Sequence, residues 1–267
     1  MVIGYGNNPI ILQQCIKVLD DEDIDFFIHW DKRYKVPSLN IQKGNIFYVK
    51  NRIAVKWGSN TQMKAECLLF NLVLHANRNY EYVHLISCND LPLMTADYFK
   101  NYFKKSYYIG FKHPTPSGTY KRISYYYPNN VDFRRHKNIK RFYTLINSTL
   151  RINRLKNIPN LKVKKGPQWF SAKENYLEEI VKYKYLNKFN HSFCVDEVFL
   201  QTILARLDTN NSENDNYQAA RYIDWKRGFP YVFQAKDIPE LKSMINTRFA
   251  FVRKIKDPKI GKKLYDI

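Results

Sequence analysis

The sequence predicts an α/β protein with a mainly parallel central sheet and helices on both faces. The first observation is that short apolar runs alternate with stretches of helical periodicity through the first 92 residues. The second is that polar clusters, residues 6–8, 31–33 and 89–90, directly follow three of these runs. Because parallel sheets bind ligands at the carboxyl ends of their strands, the clusters predict the edge at which a binding site lies.

The elements of the N-terminal half follow from their apolar spacing. A helix is predicted to begin near Pro9, because apolar residues recur at helical spacing between Ile10 and Val18. The clearest helix spans residues 61–76, where apolar residues share one face. The predicted strands are the apolar runs at residues 2–5, 24–30, 45–49 and 82–87.

The second half has weaker patterns. Residues 112–165, called the basic segment below, are rich in Lys, Arg and Tyr, and we interpret them as an exposed insertion with a helix over residues 133–148. Residues 209–218 are polar and predict a surface loop. The remaining predicted elements are helices at residues 173–184, 196–207 and 238–244, and strands at residues 222–225 and near residue 231.

The composition is that of a folded, strongly basic protein. The 267 residues include 44 Lys and Arg against 24 Asp and Glu, which gives a formal net charge of +20. Hydrophobic residues make up 45% and aromatic residues 16% of the chain, which excludes an intrinsically disordered protein. Basic globular proteins commonly bind nucleic acid, an anionic membrane or a phosphorylated ligand, so charge alone leaves three classes of partner open.

Signals for targeting, metals and nucleotides are few. No apolar run approaches the roughly 20 residues that cross a bilayer, and residues 1–9 carry no secretory signal, so we expect a cytoplasmic protein. Four widely spaced cysteines predict reduced thiols. There is no P-loop and no G-x-G-x-x-G fingerprint, and we identify no D-x-D triplet of the kind that holds a metal against a diphosphate. Basic side chains would therefore have to neutralise a bound diphosphate.

Two motifs carry candidate chemistry, and each has two interpretations. Residues 195–198 (VDEV) begin a predicted helix, so their carboxylates either cap that helix or include a general base aimed into a cleft. Residues 166–171 (GPQWFS) are a turn followed by an aromatic strand, which either packs in the core or stacks on a sugar. Residues 253–256 (RKIK), taken alone, are typical of a solvated basic run.

Eight stretches of the chain are informative when they are taken in order. They are residues 2–5 (VIGY), 28–32 (IHWDK), 55–59 (VKWGS), 85–93 (LISCNDLPL), 166–171 (GPQWFS), 193–199 (FCVDEVF), 221–225 (RYIDW) and 249–254 (FAFVRK). Together they resemble the core-2/I-branching enzyme family, the β-1,6-N-acetylglucosaminyltransferases of glycosyltransferase family 14. The animal relatives carry a membrane anchor, a stem and several disulfides, so this chain is more similar to a bacterial member of the reducing cytoplasm.

The resemblance implies a single GT-A-type catalytic domain over residues 1–267. Within it, residues 1–110 would bind the nucleotide sugar, residues 111–165 would be a basic aromatic insertion, and residues 166–267 would be the acceptor and catalytic half. The implied reaction is an inverting transfer of a sugar, expected to be GlcNAc, from a UDP-sugar to a hydroxyl of a glycan or lipid-linked oligosaccharide. No cofactor and no metal are expected.

The motif positions also imply roles for individual residues. Glu197 matches the general base, and Arg221 and Lys254 match the pair that holds the donor diphosphate in place of a metal. By the same matching, the nucleotide-binding residues are Asp31, Trp57 and Asp90, and the acceptor-binding residues are Trp169 and Trp225.

The basic segment supports two further hypotheses. Its interleaved Tyr, Lys and Arg fit a nucleic-acid-binding protein, although no RRM, KH or zinc-finger pattern accompanies them and the transferase hypothesis expects no nucleic acid. The same charge fits a peripheral contact with an anionic membrane at the inner face of the cell, where lipid-linked acceptors are built.

Overall fold

The computed structural model describes residues 1–265, in which ten strands and ten α-helices follow one another. The strands are β1 (Val2–Gly4), β2 (Phe26–Trp30), β3 (Ile46–Tyr48), β4 (Tyr82–His84), β5 (Ile86–Ser87), β6 (Asp90–Pro92), β7 (Tyr107–Tyr108), β8 (Ser171–Lys173), β9 (Arg221–Ile223) and β10 (Phe251–Arg253). The helices are α1 (Ile10–Val18), α2 (Thr61–Leu74), α3 (Ala96–Tyr102), α4 (Thr119–Ser124), α5 (Lys137–Thr149), α6 (Asn175–Val181), α7 (Phe199–Ile203), α8 (Asp215–Gln218), α9 (Ile238–Ser243) and α10 (Pro258–Tyr265).

The central sheet is parallel and has the strand order β3-β2-β1-β5, which confirms the predicted α/β class. Side chains alternate across its strands, so each strand contributes to two cores. Ile3 and Phe27 join the core that contains α2. Val2 and Ile28 join the core that contains α1. This alternation explains why the strands are apolar throughout and why helices cover both faces.

The predicted strand at residues 82–87 is two strands that belong to different sheets. β4 pairs antiparallel with β8, in a sheet of order β4-β8-β7, whereas β5 pairs parallel with β1. The change occurs at Leu85, whose N–H donates to the Phe170 carbonyl at 2.9 Å, while the next N–H, of Ile86, donates to Met1 at 3.0 Å. A continuous apolar run gives no indication of such a change of partner.

Other predictions needed adjustment in the second half. The predicted helix at residues 196–207 is interrupted: a 3-10 turn over Val195–Glu197 leads into α7, and a second follows at Ala205–Leu207. The expected loop at residues 209–218 ends in α8, and the expected strand near residue 231 is absent from the described chain. The strand predicted at residues 222–225 corresponds to β9, which pairs with β10. A third sheet has the order β6-β10-β9.

The basic segment is folded, and its first and last residues are hydrogen-bonded to each other. The N–H of Lys112 donates to the carbonyl of Lys165 at 2.7 Å, so its two ends meet. Inside it, the Arg154 guanidinium donates to the carbonyls of Tyr125, Lys188 and His191 at 3.3, 2.9 and 3.0 Å. These bonds tie the segment to the chain before residue 192, so it is an ordered insertion.

A buried arginine joins the three sheets. Arg221, on β9, is 1% exposed, and its guanidinium donates to the carbonyls of Leu85, Phe170 and Ala219 at 3.2, 2.6 and 2.7 Å. It also donates to the Ser171 hydroxyl at 3.1 Å. Burial lowers the pKa of Arg221 to about 9, so the side chain remains a cation at neutral pH.

We expect Arg221→Ala to destabilise the fold strongly. The change leaves buried carbonyls of Leu85 and Phe170 without this donor and opens a cavity, so the free energy of unfolding should fall by at least about 3 kcal/mol. Urea denaturation measures the effect. Arg206→Ala is the matched control, because that arginine is 56% exposed and pairs with Glu179 at the surface, and it should cost less than about 1 kcal/mol. Equal midpoints for the two variants would contradict the structural role of Arg221.

Candidate active site

Three chain segments meet at the carboxyl edge of the central sheet. Tyr5 follows β1, Asn89 follows β5, and Lys254 follows β10. Asn89 donates from Nδ2 to the Tyr5 hydroxyl at 3.1 Å, and Lys254 Nζ donates to the same hydroxyl at 3.3 Å. Gly6 turns the chain away after Tyr5 with a φ of +91°, a conformation that favours glycine. The polar edge that the sequence predicted is therefore assembled from these residues.

Lys254 is a half-buried cation at this edge. It forms no ion pair with any residue from 1 to 265. Burial first, and then the nearby charges of Arg253 and Lys256, lower the pKa of Lys254 to about 8. A bound anion would stabilise the charged form of Lys254, because its negative charge would compensate for burial and for the repulsion by Arg253 and Lys256.

Arg253 lies next to Lys254 but is held by the protein itself. Its Nη1 donates to Asp90 at 2.7 Å, and Asp90 also accepts the N–H of Ser87 at 2.8 Å. The guanidinium lies 4.2 Å from the ring centroid of Trp169. Asp90 and Trp169 are 1% and 8% exposed. The structure thus brings together two predicted ligand-binding residues, and both hold Arg253.

Glu197 lies at the end of a 3-10 turn and keeps 37% of its side chain exposed. Its Oε2 accepts from Arg122 at 2.8 Å and pairs with Lys165 Nζ at 3.1 Å. Burial works to raise the pKa of Glu197, but the two cations outweigh it and the pKa is lowered. Glu197 is therefore an ionised carboxylate at neutral pH.

Two further carboxyl groups lie behind Glu197. Burial, and then repulsion by Glu197, raise the pKa of Asp196 to about 7. On α2, Glu66 is fully buried and its Oε1 accepts from Gln168 Nε2 at 2.8 Å. Burial, followed by the charge of Asp196, raises the pKa of Glu66 well above its usual range. The alternative of helix capping for residues 195–198 receives no support, because no side-chain cap is formed there.

The turn that presents Glu197 is set by a local backbone constraint. Cys194 has a φ of 45°, in the left-handed region, and its N–H donates to the carbonyl of Gly58 at 2.8 Å. Gly58 itself has a φ of +73°, and a Cβ there would meet the Phe193 ring at 3.1 Å. The Trp57-Gly58 motif and the Glu197 turn are therefore one packed unit.

Asp31 and Trp57 lie on the side that faces the basic segment. Asp31 is buried and pairs with Arg33 at 2.6 Å, and it accepts the N–H of Val55 at 3.1 Å. Trp57 is 44% exposed, with the Arg134 guanidinium 4.8 Å from its ring. Asp31 thus orders the loop before Trp57, and Trp57 is the one of the two that a ligand can reach.

Arg221 and Lys254, predicted as a pair, are not brought together. Arg221 pairs with Phe251 across β9 and β10, three residues before Lys254, which is about 10 Å along the strand at roughly 3.3 Å per residue. Its hydrogen bonds go to core carbonyls, so its location favours a structural role and its diphosphate role stays a prediction. Trp225 lies in the loop after β9 and is 47% exposed.

Two D-x-D triplets do occur, but they lie at the opposite edge of the sheet. Asp21, Asp23 and Asp25 precede β2, whereas Tyr5 and Lys254 follow their strands. Lys100 pairs with the first two at 2.9 and 3.2 Å, and Arg78 pairs with Asp25 at 3.1 Å. Within residues 1–265, no three His, Cys, Asp or Glu side chains form a group that could hold a metal ion.

Three residues at the site, Arg122, Lys165 and Arg253, were not among those predicted from the sequence. Arg122 and Lys165 reach Glu197 from the basic segment, across 75 residues in the case of Arg122. Nothing in their spacing distinguishes them from the other cations of that segment. Arg253 lies inside a matched motif, and its position beside Lys254 was the available signal.

The comparisons with known proteins agree with the resemblance. A family model described as Core-2/I-Branching enzyme matches residues 2–249, a stretch that contains Glu197 and Arg221 and ends five residues before Lys254. No curated protein matched the chain. The parallel sheet flanked by helices is consistent with a GT-A-type fold. With most of its length matched, the chain belongs to the Core-2/I-branching enzyme family and is a glycosyltransferase that uses a sugar donor and a glycan acceptor.

Proposed function

We propose that the protein is an inverting, metal-independent transferase that moves GlcNAc from a UDP-sugar to a hydroxyl of a glycan acceptor in bacterial surface polysaccharide synthesis. One observation carries the proposal: residues 165–169 connect a carboxylate with a cation cluster. Lys165 pairs with Glu197 at one end, and Trp169 lies against Arg253 at the other. The Cα atoms of Lys165 and Trp169 lie at most about 14 Å apart. This short link supports the view that Glu197 and the cations Arg253 and Lys254 serve one donor and one acceptor.

Lys254 is the proposed diphosphate-binding residue. It is half-buried, lies beside two other cations, and has no carboxylate partner within the described chain. Departure of UDP adds negative charge to the diphosphate, and a fixed ammonium group stabilises that charge as it develops. The Tyr5 hydroxyl, which also accepts from Asn89, accepts from Lys254 and holds it at the edge of the sheet.

Glu197 is the proposed general base. In one displacement, the acceptor oxygen forms a bond to the anomeric carbon while the bond from that carbon to the diphosphate breaks. The hydroxyl proton passes to the Glu197 carboxylate, and the electron pair of the broken bond leaves with UDP. Attack from the face opposite the leaving group inverts the anomeric centre. The lowered pKa of Glu197 supports this role, because the carboxylate is free of a proton before the acceptor binds.

The exposed aromatic side chains are the proposed binding surfaces for the substrates. Trp57 offers a half-exposed ring on the side of the nucleotide-binding half, and Trp225 offers one after β9. Asp31, Asp90 and Trp169 are buried, so we assign them to holding Arg33 and Arg253 in place beside the donor.

Glu197→Gln should abolish most turnover while leaving UDP binding nearly unchanged. The amide keeps the size of the side chain but cannot accept the proton, and loss of a general base typically lowers the rate by about 10²–10⁴. Turnover is measured as UDP release with an acceptor, and UDP binding as thermal stabilisation. Glu178→Gln, at an exposed position on α6, is the control and should behave as wild type. Near-normal turnover of Glu197→Gln would refute the assignment.

Affinity for UDP should fall as the pH rises above 8. Because the pKa of Lys254 is lowered to about 8, the binding cation is present below that pH and is lost above it. Between pH 7 and pH 9 the dissociation constant should rise about tenfold. Isothermal titration calorimetry measures this. Lys254→Arg should bind with little dependence on pH, and Lys254→Gln should bind weakly throughout. A change of less than about twofold for the wild-type protein would exclude Lys254 from the diphosphate site.

Turnover should persist in excess EDTA. If Lys254 supplies the charge that stabilises departing UDP, removal of divalent ions should leave the rate within about twofold of the rate with added Mg²⁺ or Mn²⁺. The UDP-release assay measures both conditions. A strict requirement for Mn²⁺ would overturn the metal-independent mechanism while leaving the assignment of Glu197 open to its own test.

A further inference from the structure

The helix α5 leaves large apolar side chains in solvent. Phe142 and Leu145, one turn apart, are 59% and 67% exposed, and Leu150, at the carboxyl end of the helix, is 64% exposed. The other face of α5 is anchored: Asn147 accepts the N–H of Tyr126 at 2.7 Å and donates to its carbonyl at 2.8 Å. The orientation of α5 is thus fixed, with this apolar surface facing outward.

Positive charge surrounds this surface. Residues 112–165 contain 14 Lys and Arg and a single carboxylate, Asp132. Asp132 accepts the backbone N–H groups of residues 134 and 135 and forms no ion pair with a Lys or Arg of α5. Lys137, Arg141 and Arg151 are exposed and form no ion pair with residues 1–265. An unneutralised basic surface therefore borders exposed Phe and Leu side chains.

The helix α10 provides a comparison within the same chain. It is also basic, with Lys259, Lys262 and Lys263 exposed. Its apolar residues Ile260 and Leu264, however, are 0% and 4% exposed, packed in the core that contains α1. The exposed apolar surface of α5 is therefore not a general property of basic helices in this protein. It lacks a partner inside the described chain.

We propose that α5 together with Leu150 and Arg151 is a membrane-binding surface for anionic lipid. Exposed Phe and Leu side chains insert at the boundary of headgroups and acyl chains, while Lys and Arg contact anionic headgroups. A nucleic-acid surface would use Phe142 for base stacking but would have no use for Leu145 and Leu150. In the described chain, no helix is long and apolar enough to span a bilayer. The binding is thus interfacial.

Membrane binding through α5 also orients the candidate site. Lys140, on α5, lies 4.7 Å from the ring of Phe193, four residues before Glu197. Binding at this surface holds the Glu197 turn near the lipid headgroups, where an acceptor attached to a lipid carrier would be available. This consequence rests on the proposed function, whereas the lipid binding itself does not.

Vesicle flotation tests the surface. The wild-type protein should float with vesicles of phosphatidylglycerol and phosphatidylcholine in equal parts and remain unbound with phosphatidylcholine alone. The triple change Phe142→Ser, Leu145→Ser and Leu150→Ser should weaken partitioning by at least about tenfold. The triple change Lys137→Gln, Arg141→Gln and Arg151→Gln should weaken it by about fivefold for each cation.

The matched control removes the same charge from α10, by Lys259→Gln, Lys262→Gln and Lys263→Gln, and should retain most of the wild-type partitioning. Equal losses in the two charge variants would mean non-specific attraction and would overturn the proposal, as would unchanged flotation of the Ser variant. A wild-type dimer that the Ser variant converts to a monomer would assign the surface to a protein interface instead. All variants should keep wild-type urea midpoints and UDP affinities, so a failure of lipid binding is distinguishable from a failure of the proposed function.

Discussion

The arrangement of the three sheets depends on the buried guanidinium of Arg221. Its planar fork donates to carbonyls that precede β5, β8 and β9, so one side chain joins one segment from each sheet. A lysine could not make these bonds at once, because its donors radiate from one nitrogen. The position of β9 fixes that of β10, and Lys254 directly follows β10. A cation in the core therefore determines where a second cation stands at the surface of the site.

Charge in the site is divided between cations that the protein neutralises and one that it does not. Arg122 and Lys165 pair with Glu197, and Arg253 pairs with Asp90. These pairs hold side chains in fixed positions, but they leave little net attraction for a ligand. Lys254 differs, because its nearest charged neighbours are themselves positive. Among the cations named here, Lys254 is therefore the one that a bound anion would stabilise most.

Sequence reasoning succeeded where local pattern determines structure. The central strands, α1, α2 and the polar edge at Tyr5 and Asn89 follow from apolar period and from the geometry of parallel sheets. It failed where a long-range contact decides. The split at Leu85 depends on Phe170, 85 residues away, and the burial of Arg221 contradicts the usual exposure of arginine. The ion pair between Arg122 and Glu197 likewise forms only when the insertion is folded. Neither composition nor spacing could therefore identify Arg122.

The ion pairs around Glu197 bear on when it can act as a base. Arg122 and Lys165 stabilise its ionised form, so they keep it free of a proton but also make it a weaker proton acceptor. In the proposed reaction the donor places its diphosphate at Lys254, on the other side of residues 165–169 from these two cations. That negative charge offsets the field of Arg122 and Lys165 and moves the pKa of Glu197 upward. The carboxylate is thereby free of a proton before the donor arrives, and it becomes more basic once the donor is in place. This order favours transfer when both substrates are bound. The basicity of Glu197 is therefore a property of the donor complex, set by cations that belong to the insertion and by an anion that belongs to the substrate.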